Sequence, residues 1–166
     1  MSGPCSRWKV SHGARHPRLY AQPVRELQAS IEIDAPAERV WDVLSDLDRY
    51  QEWNPFITQA EGEFVEGSRL LIKVRPPGGR QMEFKPTVLE VEPRRSVRWL
   101  GRFILPGIFD GEHSLTVAPV GESTARFIQR ERFWGVLTAF SGKLFERTQA
   151  GFEAMNEALK RRCESN

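Results

Sequence analysis

The chain has 166 residues, enough for one domain that buries about two-thirds of the surface its unfolded form would expose, so neither metal nor disulfide staples are required. Its two cysteines, Cys5 and Cys163, lie near opposite ends and exclude a disulfide framework and a four-ligand zinc site. The net charge of +2 is unevenly spread: Arg7, Lys9, Arg15, Arg18 and Arg25 fall in residues 1–25 with no acid, leaving 19 basic against 22 acidic residues in the rest, which argues against a nucleic-acid surface on the body.

Residues 1–23 read as a disordered basic extension punctuated by Gly3, Pro4, Gly13, Pro17 and Pro23. An arginine-bearing, acid-free start also has the composition of a transit peptide, which leaves organelle targeting as an alternative to a bland tail. His12 and His16 are spaced like metal ligands on a helix, but Gly13 and Pro17 deny them a rigid one, and no metal or cofactor is expected. No apolar run approaches the ~18 to 20 residues of a membrane span, and no signal-peptide core follows Met1. The expectation is a soluble, cytoplasmic protein without stable membrane insertion, its domain occupying residues 24–162; nothing in the pattern speaks to oligomeric state.

From Val24 to Ile33 a first strand is expected, broken by Asp34-Ala35-Pro36, where proline suits the first helical position and Asp34 can serve the exposed amides. Val40, Trp41, Val43 and Leu44 give a short helix one apolar face. A second helical turn, 47–53, must stop at Asn54 because Pro55 disfavours helix in the residue before it. Strands follow near 56–64, 68–75, 81–92, 95–104, 108–118 and 123–134. The turns between them have suitable chemistry: Glu66-Gly67-Ser68, Pro76-Pro77-Gly78-Gly79, Glu92-Pro93-Arg94 and Pro119-Val120-Gly121-Glu122. Their shortness implies antiparallel hairpins. The glycine pair after Pro77 lacks the lysine and hydroxyl of a phosphate loop.

The last strand alternates, placing Phe127, Gln129, Glu131 and Phe133 on one face and Arg126, Arg130 and Arg132 on the other. After it the period becomes helical, with Val136, Leu137, Phe140, Leu144, Phe145, Phe152, Met155 and Leu159 on one stripe. A helix of roughly 25 residues, about 37 Å long, needs a broad apolar surface beneath it. Gly142 and Gly151 weaken it by roughly 1 kcal/mol each relative to alanine, and mean either simple tolerance or a close approach or bend. The fold class is therefore α+β: a curved antiparallel seven-stranded sheet wrapped around a long C-terminal helix, with two short helices after the first strand.

A helix on a concave sheet encloses more volume than its side chains fill, and an aromatic-lined space with few polar groups is the usual form of a small-molecule site. The residues expected to line it are Trp53, Leu70, Ile72, Met82, Phe84, Trp99, Phe109, His113, Phe127, Gln129, Glu131, Phe133, Leu137, Phe140 and Leu144. A tight 118–123 hairpin would set His113 opposite residues 127–129, making Gln129 its neighbour and Glu131 a diagonal one. These three polar groups on an apolar wall either satisfy one another or orient a ligand, and His113 and Glu131 are the acid/base candidates. Ser114 points away from His113 and Ser141 has no base beside it, so a hydrolytic triad is not supported.

Several segments in order, Ile31-Glu32-Ile33-Asp34-Ala35-Pro36-Ala37-Glu38-Arg39-Val40-Trp41, Trp53-Asn54-Pro55-Phe56, Gly67-Ser68-Arg69-Leu70, Val97-Arg98-Trp99, Gly111-Glu112-His113-Ser114-Leu115 and Glu131-Arg132-Phe133-Trp134-Gly135, resemble the START-like, or SRPBCC, superfamily. Its members include polyketide cyclase/dehydrase-type proteins. The resemblance implies a helix-grip fold with a hydrophobic cavity between the sheet and the last helix. It does not imply one activity, since fold does not fix function. The superfamily's oxygenase branch carries an iron site of histidines and an acid, whereas this body has only His113. The leading expectation is a binder, or transporter, of a hydrophobic small molecule such as a lipid, polyketide or aromatic metabolite. The alternatives are a cyclase or dehydratase using His113 and Glu131, and a cochaperone-like protein-interaction module.

Overall fold

The structure, a computed structural model, describes residues 24–103, 107–135, 137–138 and 141–165; the expectations for residues 1–23, Val136 and Phe140 lie outside the described residues. In chain order the elements are β1 (Arg25–Ile33), α1 (Ala37–Ser45), a single 3₁₀ turn (Leu47–Arg49) running into α2 (Tyr50–Trp53), β2 (Ile57–Glu61), β3 (Leu71–Val74), β4 (Met82–Phe84), β5 (Thr87–Glu92), β6 (Ser96–Phe103), β7 (Phe109–Gly121), β8 (Thr124–Trp134) and α3 (Gly142–Glu164). This is the α+β helix-grip arrangement, an antiparallel wall closed by a long C-terminal helix. Among the described residues the wall holds eight strands rather than seven, in a five-stranded sheet ordered β1-β8-β7-β6-β5 and a three-stranded sheet ordered β2-β3-β4.

Proline accounts for the extra strand. The apolar run expected as one strand over 81–92 is cut at Pro86, which has no N–H to give to a ladder. Its carbonyl instead accepts the Leu70 N–H at 2.9 Å, and Val88 N–H donates to Ser68 O at 2.9 Å. The segment just before β3 thus lies along β5, with Arg69 opposite Thr87, and stitches the two sheets together. The run expected as one strand over 68–75 is shared between both sheets for the same reason.

Other boundaries follow local chemistry. Asn54 takes an extended conformation before Pro55, as that proline demands, and its Oδ1 accepts the N–H groups of Phe56 and Ile57 at 3.0 and 2.9 Å, which turns the chain into β2. Pro36 stands one position before α1 instead of opening it, and no side chain caps that helix. Asp34 is not its cap; the Asp34 N–H donates to Glu164 Oε1 on α3 at 2.8 Å. At the β5–β6 hairpin Arg94 adopts a positive φ of 63°.

The hairpin between β7 and β8 corrects the expected register. Its tip is tighter than 118–123, with Gly121 opposite Thr124, and an irregularity between Pro119 and Gly121 leaves Val120 as the extra residue of a bulge. The strands consequently align His113 with Glu131, and Leu115 with Gln129. His113 and Gln129 are not the cross-strand pair expected from the looser turn.

Helix α3 begins at Gly142, later than the stripe from Val136 implied. Its buried face runs through Phe145, Thr148, Gly151, Phe152, Met155, Asn156, Leu159 and Cys163, at helical spacing. Phe145, Phe152, Met155 and Leu159 are fully buried, each such burial contributing about 1.5–3 kcal/mol. Of the two glycines, Gly142 opens the helix and only Gly151 is interior. A Cβ at Gly151 would stand 2.2 Å from the Phe56 ring, so this glycine serves close approach. The core beneath the C-terminal part of α3 combines Phe152, Met155, Leu159 and Cys163 with Val40, Trp41 and Leu44 of α1 and with Leu115, Val117 and Phe127 of the sheet.

Candidate functional site

The inner faces of β6, β7 and β8 meet in rows fixed by register. One row aligns Trp99, His113 and Glu131; the next aligns Gly101, Gly111 and Phe133. Two adjacent strands therefore present no side chain at the same level, and the sheet is hollowed there. A Cβ on Gly101 would meet only the Gly111 carbonyl oxygen, at 3.8 Å, so the space before it is open. A Cβ on Gly111 would come within 2.8 Å of Glu131 Oε1 and 3.4 Å of the Phe133 ring, which shows the Glu131 carboxylate leaning over this glycine.

The hollow is a cavity of about 210 Å³, walled by the three-stranded sheet on one side, by β6–β8 on the other, and by the N-terminal part of α3 above. Ten residues of the expected set line it: Ile72, Met82, Phe84, Trp99, Phe109, His113, Glu131, Phe133, Leu137 and Leu144. Trp53, Leu70, Phe127 and Gln129 do not, and Phe140 is outside the described residues. Trp53 packs edge-on against Tyr50 at 5.1 Å and faces a separate polar groove with Arg39, Asp46 and Arg162. Leu70 and Phe127 are core residues. Gln129 is fully buried under α3, where its Nε2 donates to Asn156 Oδ1 at 2.6 Å and to the Phe152 carbonyl at 3.2 Å.

The expected lining omits Phe56, Ile57, Pro76, Pro86, Gly101, Gly111, Ser141 and Thr148, which also line the space, as does Val74, which alternation places inward. For the two glycines a signal existed: they fall at inward phases of neighbouring strands. Thr148 was equally legible as one turn beyond Leu144 on the same helical face. Leu137 is exposed while Met82, Phe84 and Leu144 are half-buried, so the cavity opens between the β3–β4 hairpin and the start of α3.

Among the described residues only two charged or titratable side chains, His113 and Glu131, reach this apolar space. The His113 ring stacks on Trp99 at 4.9 Å and meets Phe152 edge-on at 5.0 Å. Its Nδ1 stands 3.6 Å from Glu131 Oε2, beyond hydrogen-bonding length, so the two groups are adjacent without a hydrogen bond. His113 Nε2 is buried and has no partner among the described residues. A ligand cannot touch that nitrogen unless a ring moves. Glu131 is different: its side chain keeps 18% of its surface, and its oxygens are not sealed. The group presented to an occupant is therefore the carboxylate, with the imidazole behind it. At Phe133, rings of Phe109 and Phe145 close the far wall at 5.4 and 5.0 Å.

A family profile described as polyketide cyclase / dehydrase and lipid transport matches residues 24–164. The chain belongs to this family. No curated protein sequence matches it. Solved structures show the same fold at low identity. An aromatase/cyclase, Zhui of Streptomyces sp. R1128, superposes with a TM-score of 0.71 at 15% identity, covering 86% of this chain and 94% of that one. A START superfamily protein of Mycobacterium smegmatis gives 0.67 at 18% identity, over 84% and 97%. Norcoclaurine synthase of Thalictrum flavum, in complex with dopamine and hydroxybenzaldehyde, gives 0.65 at 17% identity, over 97% and 100%.

Proposed function

We propose that the protein binds an apolar small molecule in the cavity between β6–β8, the three-stranded sheet and α3. The observation that carries this reading is the paired absence of side chains at Gly101 and Gly111, in register on adjacent strands, inside an otherwise close-packed aromatic wall. Protein interiors pack with few voids larger than a water molecule, and a pocket with a few directed polar groups is the usual form of a small-molecule site. The family's description and the small aromatic compounds held by the norcoclaurine synthase structure agree with it.

The experiment fills the hollow. Gly101→Leu adds a side chain where the backbone has room for its Cβ. The variant is expected to fold with an unchanged circular dichroism spectrum and to lose binding of 2-naphthol, a small environment-sensitive dye of two fused rings. Equal dye binding by both proteins, or none by the parent, overturns the proposal.

A second reading, that of an enzyme, is favoured by Glu131: a carboxylate over an apolar floor is a proton acceptor held near any bound carbon acid. It predicts that Glu131→Gln retains binding of a polyketide-like ketone yet abolishes deuterium exchange at its α-carbon, followed by NMR. Exchange at the parent's rate in that variant removes the reading.

A further inference from the structure

We infer that the occupant is a single aromatic ring with a short side chain, or two fused rings, carrying a hydrogen-bond donor that meets Glu131. The inference rests on the binding reading above and narrows it.

Size comes first. A dry cavity of roughly 150 Å³ accommodates benzene, whereas pockets for drug-sized molecules span roughly 300 to 1,000 Å³. This cavity, at about 210 Å³, lies between those values. It has room for one ring and a few further atoms. A long acyl chain or a four-ring product would have to project through the opening beside Leu137. The walls favour a flat occupant, because the rings of Trp99, Phe84, Phe109 and Phe133 are rigid and offer π faces and edges to a ring.

Charge decides the rest. An ionised carboxylate only accepts hydrogen bonds. Among the described residues Glu131 has no lysine or arginine within ion-pair distance, and its sole charged or titratable neighbour, His113, is too distant for a hydrogen bond. An occupant that fills the hollow strips water from this carboxylate. A molecule without a donor leaves the acceptor unpaired, a larger loss than a hydrogen bond's ordinary gain. A fatty acid placing its own carboxylate there adds like-charge repulsion. A phenolic hydroxyl or an ammonium group supplies the missing donor.

The test is a titration of the intact protein, followed by tryptophan fluorescence and by calorimetry, with 4-ethylphenol, 2-phenylethylamine, ethylbenzene and dodecanoate. Either donor-bearing ring should bind about tenfold or more tightly than ethylbenzene, with dodecanoate weakest. The first two compounds tell the donors apart: in Glu131→Gln the phenol should stay within a few-fold, because the amide oxygen still accepts its hydrogen bond, while the ammonium should lose tenfold or more. Equal affinity for ethylbenzene and 4-ethylphenol overturns the donor; tight binding of dodecanoate, lost in Gly101→Leu, overturns the size while the binding reading stands. If none of the four compounds binds, both fail. The comparison of the two neutral rings needs no variant, so a folding defect in Glu131→Gln cannot mask the result.

Discussion

Glu131 and Gln129 sit two residues apart on the same face of β8, yet the structure gives them opposite work. Gln129 is pinned to the helix by two hydrogen bonds; Glu131 faces the hollow with none. Replacing Gln129 with Met removes the donor shared by Asn156 and the Phe152 carbonyl and leaves those acceptors buried. Such a loss should cost about 1–3 kcal/mol, seen as a lower denaturation midpoint in urea with ligand affinity unchanged after correction for the unfolded fraction. Glu131→Gln should do the reverse, leaving the midpoint nearly in place and lowering affinity for an ammonium-bearing ring. If Gln129→Met were the variant that changed ligand preference, the assignment of the two roles would be wrong. Both residues were legible from alternation as inward polar positions. What alternation could not reveal was the bulge at Val120, which moves the register and so decides which of them stands beside His113.

At the scale of elements, α3 is held at its middle and at its C-terminal end by different chemistry. In its middle, the ring of Phe56 lies directly on Gly151. Gly151→Ala should destabilise the protein by about 1–3 kcal/mol through overpacking, even though alanine is the better helix former, and a thermal melt would show the sign. Near its C-terminus, Glu164 accepts from the Asp34 N–H and from Lys160 Nζ, at 2.8 and 2.9 Å. The Asp34 N–H, foremost, and Lys160 hold its carboxyl below the ordinary value of 4.5. A lowered carboxyl stabilises the fold above its ordinary value, and that contribution fades as pH falls through the lowered one. An NMR titration that follows the Glu164 side-chain carboxyl carbon should therefore show a midpoint below 4.5, and Lys160→Ala should move it back toward that value. The same helix guards the sheet's free edge: Gln149 Nε2 and Lys160 Nζ donate to the Gln28 and Glu32 carbonyls of β1 at 3.1 and 2.8 Å, which blunts a strand that could otherwise pair with another chain. The helical stripe and the alternating strands were readable because both repeat. Pro86 was readable too, but its effect, to divide one strand and tie two sheets, depended on which distant backbone met it. Gly101 and Gly111 were the hardest, since a missing side chain adds nothing to a hydrophobic period.

Over the whole molecule, the part that makes it stable and the part that leaves room are separated along α3. Leu144 and Thr148 look into the cavity, whereas Phe152, Met155 and Leu159 seal a core shared with α1 and the far half of the sheet. An occupant at a hundred times its dissociation constant should add about 2.7 kcal/mol to stability. Hydrogen exchange followed by mass spectrometry should show the extra protection concentrated in peptides covering 141–150 and 82–86, with little change beyond residue 155. Uniform protection along the helix would mean that the two halves act as one body. If they are separate, the bare patch formed by Gly101 and Gly111 works as an adjustable berth: its depth can be altered by one or two carbons at a time, from alanine to valine to leucine at residue 101, without touching the packing that keeps the chain folded. Selectivity in this architecture would then be free to drift among guests while the scaffold stays put.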